Sequence, residues 1–456
     1  MQRLFESSKR DYFQRYKMKT FFEAKKIAVI GASRERGKVG NVIFRNLLET
    51  GEKARLRVFP VNPNADYVES RKAYPDVLSI PFPVDMAVIV VPAKIVPSVL
   101  EDCGKKEIRN VIIISSGFGE NGNLELNEKI LSIAREYKIK IIGPNVLGIL
   151  SPYKNLNATF FREMPEKGNV SFISQSGAIG TAVLDMAVET KLGFSSFISL
   201  GNMLGEDFLD ALEYLEKDIY TEVIMLYIES LKENTGKEFV EICKRISKRK
   251  RIIALKAGKT KEGIETAKTH TASLSSSSLI YSGAFKQSSI IEADSLEELF
   301  NLAEIFSKYK KLGKNACIIT NAGGLGVLAA DNCVKSGIKL GEIPEKVLFE
   351  LDKVMPSGYS RRNPLDILGD ALAERYEKVL KILMKYNLFD FYIVILTPQQ
   401  MTQPLETARV LTAYKKPVIA CYIGGKSLEE AKMFLRHNNV VVFDDDSDIL
   451  SLGKAI

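Results

Sequence analysis

The sequence contains no tryptophan, only two histidines and only five cysteines in 456 residues. The cysteines (Cys103, Cys243, Cys317, Cys333, Cys421) are far apart, with no CxxC pair and no histidine cluster nearby, so no metal site is expected. Four of them lie inside apolar segments, where a reduced, buried thiol is the ordinary state, and a reducing, cytoplasmic compartment fits. Long apolar runs are also missing. The richest, Met86 to Leu100, is broken by Lys94 and two prolines, so no membrane span is expected. The first twenty residues lack the apolar core of a signal peptide. Strong charge of either sign is absent too: 64 Lys+Arg against 56 Asp+Glu give +8. The densest basic run, Lys244 to Arg251, follows the apolar spacing of EFVEIC and reads as the last turn of a helix, where cations suit the dipole. No aromatic residues interleave with it, so a nucleic-acid partner is not expected.

What is present is a repeated theme. A hydrophobic fraction of 46% and 456 residues call for about three domains. Short β-branched runs alternate with amphipathic helical segments, first at KKIAVIG, LRVFPVN, MAVIVVP, NVIIISSG and IKIIGPN. A second round starts at NVSFISQSG and runs through FSSFISLGN, TEVIMLYIES and RIIALKAG. A third starts at NACIITNAGG and includes FDFYIVILTP and PVIACYIGG. This alternation predicts an α/β protein with parallel sheets. The boundaries are expected near the polar stretch Ser151–Gly168 and the lysine-rich Lys308–Asn315.

Each round opens with a strand that feeds glycine into a helix: Ile30-Gly31-Ala32-Ser33, Ser174-Gln175-Ser176-Gly177 and Asn321-Ala322-Gly323-Gly324. Tight turns of this kind need glycine on steric grounds, yet each also presents main-chain N–H groups and a positive dipole end, which suits phosphate. The first turn, with Gly31, Gly37 and Gly40, has the wrong glycine spacing for a dinucleotide fingerprint. The next strand ends in Asn62-Pro63, not in the acid a nicotinamide ribose needs. Ser33, Arg34, Arg36 and Lys38 instead give it a cationic rim suited to a phosphate-rich ligand. Other strand ends, where such sheets bind ligands, supply Val91-Pro92, Ser115 with Gly117, and Asn145.

Of the two histidines, His437 sits at a helix end and reads as a dipole contact. His270 lies in TKEGIETAKTHTASLSSSS, a small and hydroxyl-rich stretch with little apolar periodicity, expected to be a mobile loop. An imidazole there is free to act as a nucleophile, with Thr269, Thr271, Ser273 and Ser275 as hydrogen-bond donors. Glu229, at the end of VIMLYIES, is the best candidate to orient its ring, although a strand-end carboxylate is as readily a solvated charge.

These residues carry a resemblance. GASRERGKVG, VNP, VVPA, SSGFGE, GPNVLGI, SQSGAIG, LGN, LYIES, THTASLS, TNAGGLG, NPLDI and TPQQMTQP, in this order from about residue 20, resemble the alpha subunit of archaeal ADP-forming acetyl-CoA synthetase. The resemblance to the succinyl-CoA synthetase alpha subunit is more distant. It implies an N-terminal extension (1–19), a Rossmann-like CoA-binding domain (20–150) and two flavodoxin-like ligase domains (151–310 and 311–456). It further implies His270 as the phosphorylated residue, Glu229 as its partner, and two phosphate-facing helix N-termini, one with Ser174, Gln175, Ser176, Gly177 and Asn145, the other with Asn321, Gly323 and Gly324. Coenzyme A, acyl-CoA and phosphate would bind this chain. ADP or ATP with Mg2+ would bind an ATP-grasp beta subunit, in an alpha2beta2 assembly, so the chain is expected to be an incomplete enzyme. Ala272 departs from the family pattern, which has glycine after His-Thr. A non-catalytic acyl-CoA sensor of the same fold would need neither His270 nor Glu229, and a succinyl-CoA synthetase alpha subunit would lack the third domain.

Overall fold

The computed structural model describes residues 18–260, 262–263 and 278–456. His270, with Thr269, Thr271, Ala272, Ser273 and Ser275, lies outside the described residues. The chain divides into two compact units, with the break between Asp294 and Ser295.

The first unit carries two sheets. In the first, β1 (Lys26–Ile30), β2 (Arg57–Val61), β3 (Met86–Ile89), β4 (Asn110–Ile113) and β5 (Lys140–Ile142) lie in the order β2-β1-β3-β4-β5, every pair parallel. Every residue of β3 and β4 is buried, as expected of parallel strands covered on both faces. Helix α1 (Val39–Ala54) presents Ile43, Phe44 and Leu47 to the core and follows directly from the first glycine turn.

The second sheet contains β6 (Gly148–Ser151), β7 (Leu156–Thr159), β8 (Lys167–Ser174), β9 (Phe194–Ser199), β10 (Val223–Ile228), β11 (Arg251–Lys256) and β12 (Ile291–Ala293). Their order is β12-β11-β10-β8-β9-β6-β7. It is parallel from β12 to β9, with an antiparallel hairpin, β6–β7, at the edge. Strand β7 lies inside Ser151–Gly168, a stretch too polar to read as a strand. Its Asn157 and Thr159 are nonetheless buried, because they satisfy one another and the main chain. The Thr159 hydroxyl donates to Asn157 Oδ1 at 2.7 Å, and Asn157 Nδ2 donates to the Phe161 carbonyl at 3.0 Å. From α1, Asn46 Nδ2 donates to the Thr159 and Phe161 carbonyls, both at 2.9 Å, which ties the two sheets together.

Helix α2 (Gly177–Thr190) follows β8, and α3 (Ser278–Ser288) precedes β12.

The second unit opens with α4 (Leu296–Lys308), ahead of the lysine-rich stretch. Lys308 Nζ donates to the Val440 carbonyl at 2.8 Å and Asn301 Nδ2 to Asp448 at 2.7 Å, so the helix packs against the C-terminal end of its own unit. The sheet runs β14 (Lys339–Leu340), β13 (Asn315–Thr320), β16 (Phe391–Leu396), β17 (Val418–Tyr422), β18 (Val441–Phe443), all parallel, with β15 (Leu365–Asp366) also on β13. Helix α5 (Gly323–Lys335) leaves β13 through the third glycine turn.

All five cysteines are buried. Among the described residues no helix is long and apolar enough to cross a membrane. His437 ends a helix, with Nδ1 2.7 Å from the Met433 carbonyl oxygen.

Burial pushes Asp448 up from 3.8 to about 6. Between those values the folded chain holds a proton that the unfolded chain has lost, so this group's contribution to stability falls as pH rises from about 4 to about 6. Asp448→Asn abolishes the titration. Denaturant melts should show the variant gaining on wild type by up to about 3 kcal/mol between pH 4 and 7.

Candidate functional site

The first glycine turn is dictated by how closely α1 approaches β1. Gly31 has φ +93°, and a methyl group there would lie 2.3 Å from the Val90 carbonyl oxygen. A methyl group on Gly40, in the first turn of α1, would lie 2.1 Å from the Gly31 carbonyl oxygen. Asn62 clips the same turn: its Nδ2 donates to the Ala32 carbonyl at 2.7 Å and its Oδ1 accepts from Asn64 N–H at 2.8 Å. Ser33 Oγ accepts from Glu35 N–H at 3.1 Å. Gly37, at φ +89°, and Lys38, the residue capping α1, complete the turn, and Pro63 comes directly after the clip.

Beside this turn a cleft of about 690 Å³ opens between the strand ends of the two sheets of the first unit. Val91 and Pro92 after β3, Ser115 after β4 and Asn145 after β5 form one wall. Ser115 Oγ donates to the Val91 carbonyl at 2.5 Å, and Asn145 N–H to the Ser115 carbonyl at 3.0 Å, so adjacent strand ends are pinned together. The opposite wall comes from the second sheet: Gln175, Ser176 and Gly177 at the start of α2, Gly201 and Asn202 after β9, and Glu229 after β10. Gly31, Ser33, Gly37, Lys38, Gly40, Asn62 and Pro63 lie outside the cleft lining, as do Gly117 and Ser174. Gly117 N–H donates to Glu120 Oε1 at 2.6 Å.

The entry to α2 is built by its own side chains. Ser174 Oγ donates to the Ser176 carbonyl at 2.8 Å and accepts the Ser176 N–H at 3.2 Å. Ser176 caps the helix by accepting the Ile179 N–H at 3.3 Å. The N–H groups of Gly177 and Ala178 precede any intrahelical acceptor, and both residues line the cleft. Gln175 is turned to the neighbouring strand, where its Oε1 accepts from Glu229 N–H at 2.6 Å and Ser230 N–H at 3.0 Å. Lys256, the last residue of β11, donates to the Glu229 carbonyl at 2.9 Å. Burial lowers its pKa, an effect that the nearby Glu229 opposes. Tyr227, on the strand that leads to Glu229, is pushed up to about 12 by burial and by the Glu229 charge. Among the described residues of the cleft lining, Glu229 alone carries a formal charge. Among these residues, attraction for an anion rests on peptide N–H groups and the α2 dipole.

The second unit repeats the device. Thr320 Oγ1 donates to the Ala322 carbonyl at 3.0 Å and accepts its N–H at 2.9 Å. Asn321 Oδ1 accepts from Thr397 N–H at 3.0 Å, at the end of the neighbouring strand. Gly323 and Gly324 then start α5.

Three family models match the chain in succession: a CoA binding domain over residues 25–152, a succinyl-CoA ligase like flavodoxin domain over 167–306 and a ligase-CoA domain over 316–452. The ADP-forming acetate–CoA ligase II subunit alpha of Pyrococcus furiosus is 40% identical over 447 residues, 96% of each chain. The chain belongs to the ADP-forming acetate–CoA ligase family. Among solved structures, the acetyl-coenzyme A synthetase 1 of Ca. Korarchaeum cryptofilum, in complex with phosphate and ADP, superposes on this ligase-family chain with a TM-score of 0.88 at 37% identity, covering 96% of both. Two other members of the family are longer. The chain spans 62% of the ADP-forming acetate–CoA ligase I of Archaeoglobus fulgidus (41% identical) and 61% of the enzyme of Methanocaldococcus jannaschii (44% identical), while 94% of it is matched in each case.

For this family member, sequence reasoning passes over Asn202 and Lys256. Asn202 Nδ2 donates to Glu120 Oε2, and its N–H donates to the Pro144 carbonyl at 3.0 Å, joining the second sheet to the strand ends of the first. Both residues sit in strand-end segments, LGN and Lys-Ala-Gly, that are visible as motifs but carry no sign of their task.

The glycine contact yields a direct test. Gly40→Ala forces α1 away from the β1 turn and should cost about 1–3 kcal/mol of stability, read as a lower thermal midpoint of the first unit.

Proposed function

We propose that this chain is the CoA-binding, phosphohistidine-bearing subunit of an ADP-forming acyl-CoA synthetase that uses a short carboxylic acid. The names of its relatives make acetate the first candidate. One observation carries the reading: the strand ends beside the β1–α1 turn share a single cleft with the N-terminus of α2 and with Glu229.

The reaction is acyl-CoA + ADP + phosphate ⇌ carboxylic acid + CoA + ATP. Coenzyme A lies along Gly31, Ser33, Gly37, Lys38, Gly40, Asn62 and Pro63, with Val91, Pro92, Ser115 and Gly117 at the adjoining strand ends. A methyl group on Gly37 would meet nothing within 4 Å, and this open space beside main chain supports a ligand close to the turn there. Inorganic phosphate sits at Asn145, Ser176 and Gly177, held by N–H groups at the start of α2. Its oxygen attacks the thioester carbonyl, the C–S bond breaks, and CoA leaves as an acyl phosphate forms. An imidazole nitrogen of His270 then attacks phosphorus, the bond to the acyl oxygen breaks, and the carboxylate leaves. ADP takes the phosphoryl group from the histidine, restoring the free imidazole. Glu229 accepts the other ring N–H and stabilises the positive charge that develops on the ring.

Such transfers leave little covalent work for the protein beyond orientation and oriented dipoles. The third glycine turn, at Asn321, Gly323 and Gly324, serves as a second phosphate-facing helix N-terminus. Ser174, Gln175 and Asn321 contribute by shaping these entries, since their side chains bond main chain. Nucleotide and Mg2+ belong to an ATP-grasp partner subunit. A relative matched over 96% of its length is named subunit alpha, and that name supports a partner subunit.

Two measurements test the reading. With labelled ATP and magnesium, the complex should form an acid-labile, base-stable phosphoprotein, and His270→Ala should abolish it; label that persists overturns the assignment. Glu229→Gln should slow labelling about ten- to a hundredfold. Calorimetry should find its CoA affinity within about twofold of wild type, and an unchanged labelling rate would leave Glu229 a mere strand end.

A further inference from the structure

The tip after β10, Glu229–Ser230–Leu231, is held by side chains from three separate elements. Gln175 takes the N–H groups of Glu229 and Ser230. Lys256 Nζ donates to the carbonyl of Glu229 at 2.9 Å and to that of Ala257. Tyr281, in the first turn of α3, accepts the Leu231 N–H on its hydroxyl at 3.0 Å, and the Lys256 ammonium lies 4.7 Å from the centre of the Tyr281 ring. Lys256 ends the strand before residues 264–277, and Tyr281 opens the helix after them. The described chain on both sides of that stretch therefore grips the same tip.

The lysine is an expensive way to do this. Only 3% of Lys256 is exposed, and its partners among the described residues are two carbonyl oxygens and an aromatic face. Burying an ammonium costs several kcal/mol, and replacing buried ions with apolar residues of similar volume is often neutral or stabilising. Stability alone gives no reason for a cation here, whereas position does. The ammonium is the charge set against the backbone of Glu229, the one acidic residue among the described residues of the cleft lining.

We propose that Lys256, braced by Tyr281, is a positioning residue that fixes Glu229 and places positive charge beside its carboxylate. This rests on the role proposed for Glu229. Lys256 touches neither CoA nor phosphate. It acts by holding the Glu229 carbonyl, so that the side chain leaves the tip in one direction, and by offsetting the negative charge that the carboxylate brings to an anion-binding cleft.

The test uses the full chain with its nucleotide-binding subunit, labelled ATP and magnesium. Lys256→Met should slow formation of the acid-labile phosphoprotein about ten- to a hundredfold. Its CoA dissociation constant should stay within about twofold of wild type. If the lysine acts through Glu229, the double variant Lys256→Met/Glu229→Gln should be no more than about threefold slower than Glu229→Gln alone. A normal rate for Lys256→Met beside a slow Glu229→Gln overturns the role of the lysine and leaves that of Glu229 standing. A normal rate for Glu229→Gln overturns the reading of Glu229 itself. Multiplicative losses in the double variant overturn the link between the two. Should Lys256→Met fail to fold, Tyr281→Phe decides: it keeps the ring and drops the hydroxyl, and should slow labelling about three- to tenfold with CoA binding intact. A wild-type rate there overturns the brace.

Discussion

Oε1 of Gln175 accepts two main-chain N–H groups, from Glu229 and Ser230, and so joins the entry of α2 to the tip of the neighbouring strand. The rest of the site depends on this join. A parallel sheet leaves the last peptide groups of each strand without ladder partners, and a buried N–H left unpaired costs about as much as a lost hydrogen bond. Here one amide oxygen satisfies two of them. In doing so it sets the distance between a helix N-terminus, which draws anions, and a carboxylate, which repels them. The second unit has a related solution with a shorter side chain: Asn321 Oδ1 accepts one main-chain N–H, from Thr397, together with the Thr397 hydroxyl. A hydroxyl residue precedes the amide in both, looping back on the residue two places on.

The parallel sheets were legible because their strands are short, β-branched and buried on both faces, which leaves an unmistakable apolar run. Strand β7 was not. Its polar residues, Asn157 and Thr159, are inside the protein because they bond each other and the main chain, a pairing that carries no periodic signal. The lysine-rich stretch reads as a boundary, and the family models change over there, between residues 306 and 316, whereas the compact unit begins at Ser295, with helix α4 inside it and Lys308 tied to Glu304 and to the Val440 carbonyl oxygen.

At the site, the glycine turns were readable because close approach of main chain admits no other residue, as at Gly31 and Gly40. The tasks of the polar residues were not. Gln175 and Asn321 stand where a phosphate ligand would be expected, and the sequence holds no hint that their oxygens are turned to a neighbouring strand. Lys256 looks like an ordinary strand-end cation until its 3% exposure is known. Which partner a side chain bonds is a long-range property, decided by strand order, and here β10 lies between β8 and β11 although α2 and β9 intervene in the chain.

Among the described residues of the cleft lining one carries a formal charge, and that charge is negative. Peptide groups at the mouth of a helix draw an anion with no side chain that a replacement could delete, and they do not titrate. That part of the attraction would leave no trace in an alanine scan of the walls.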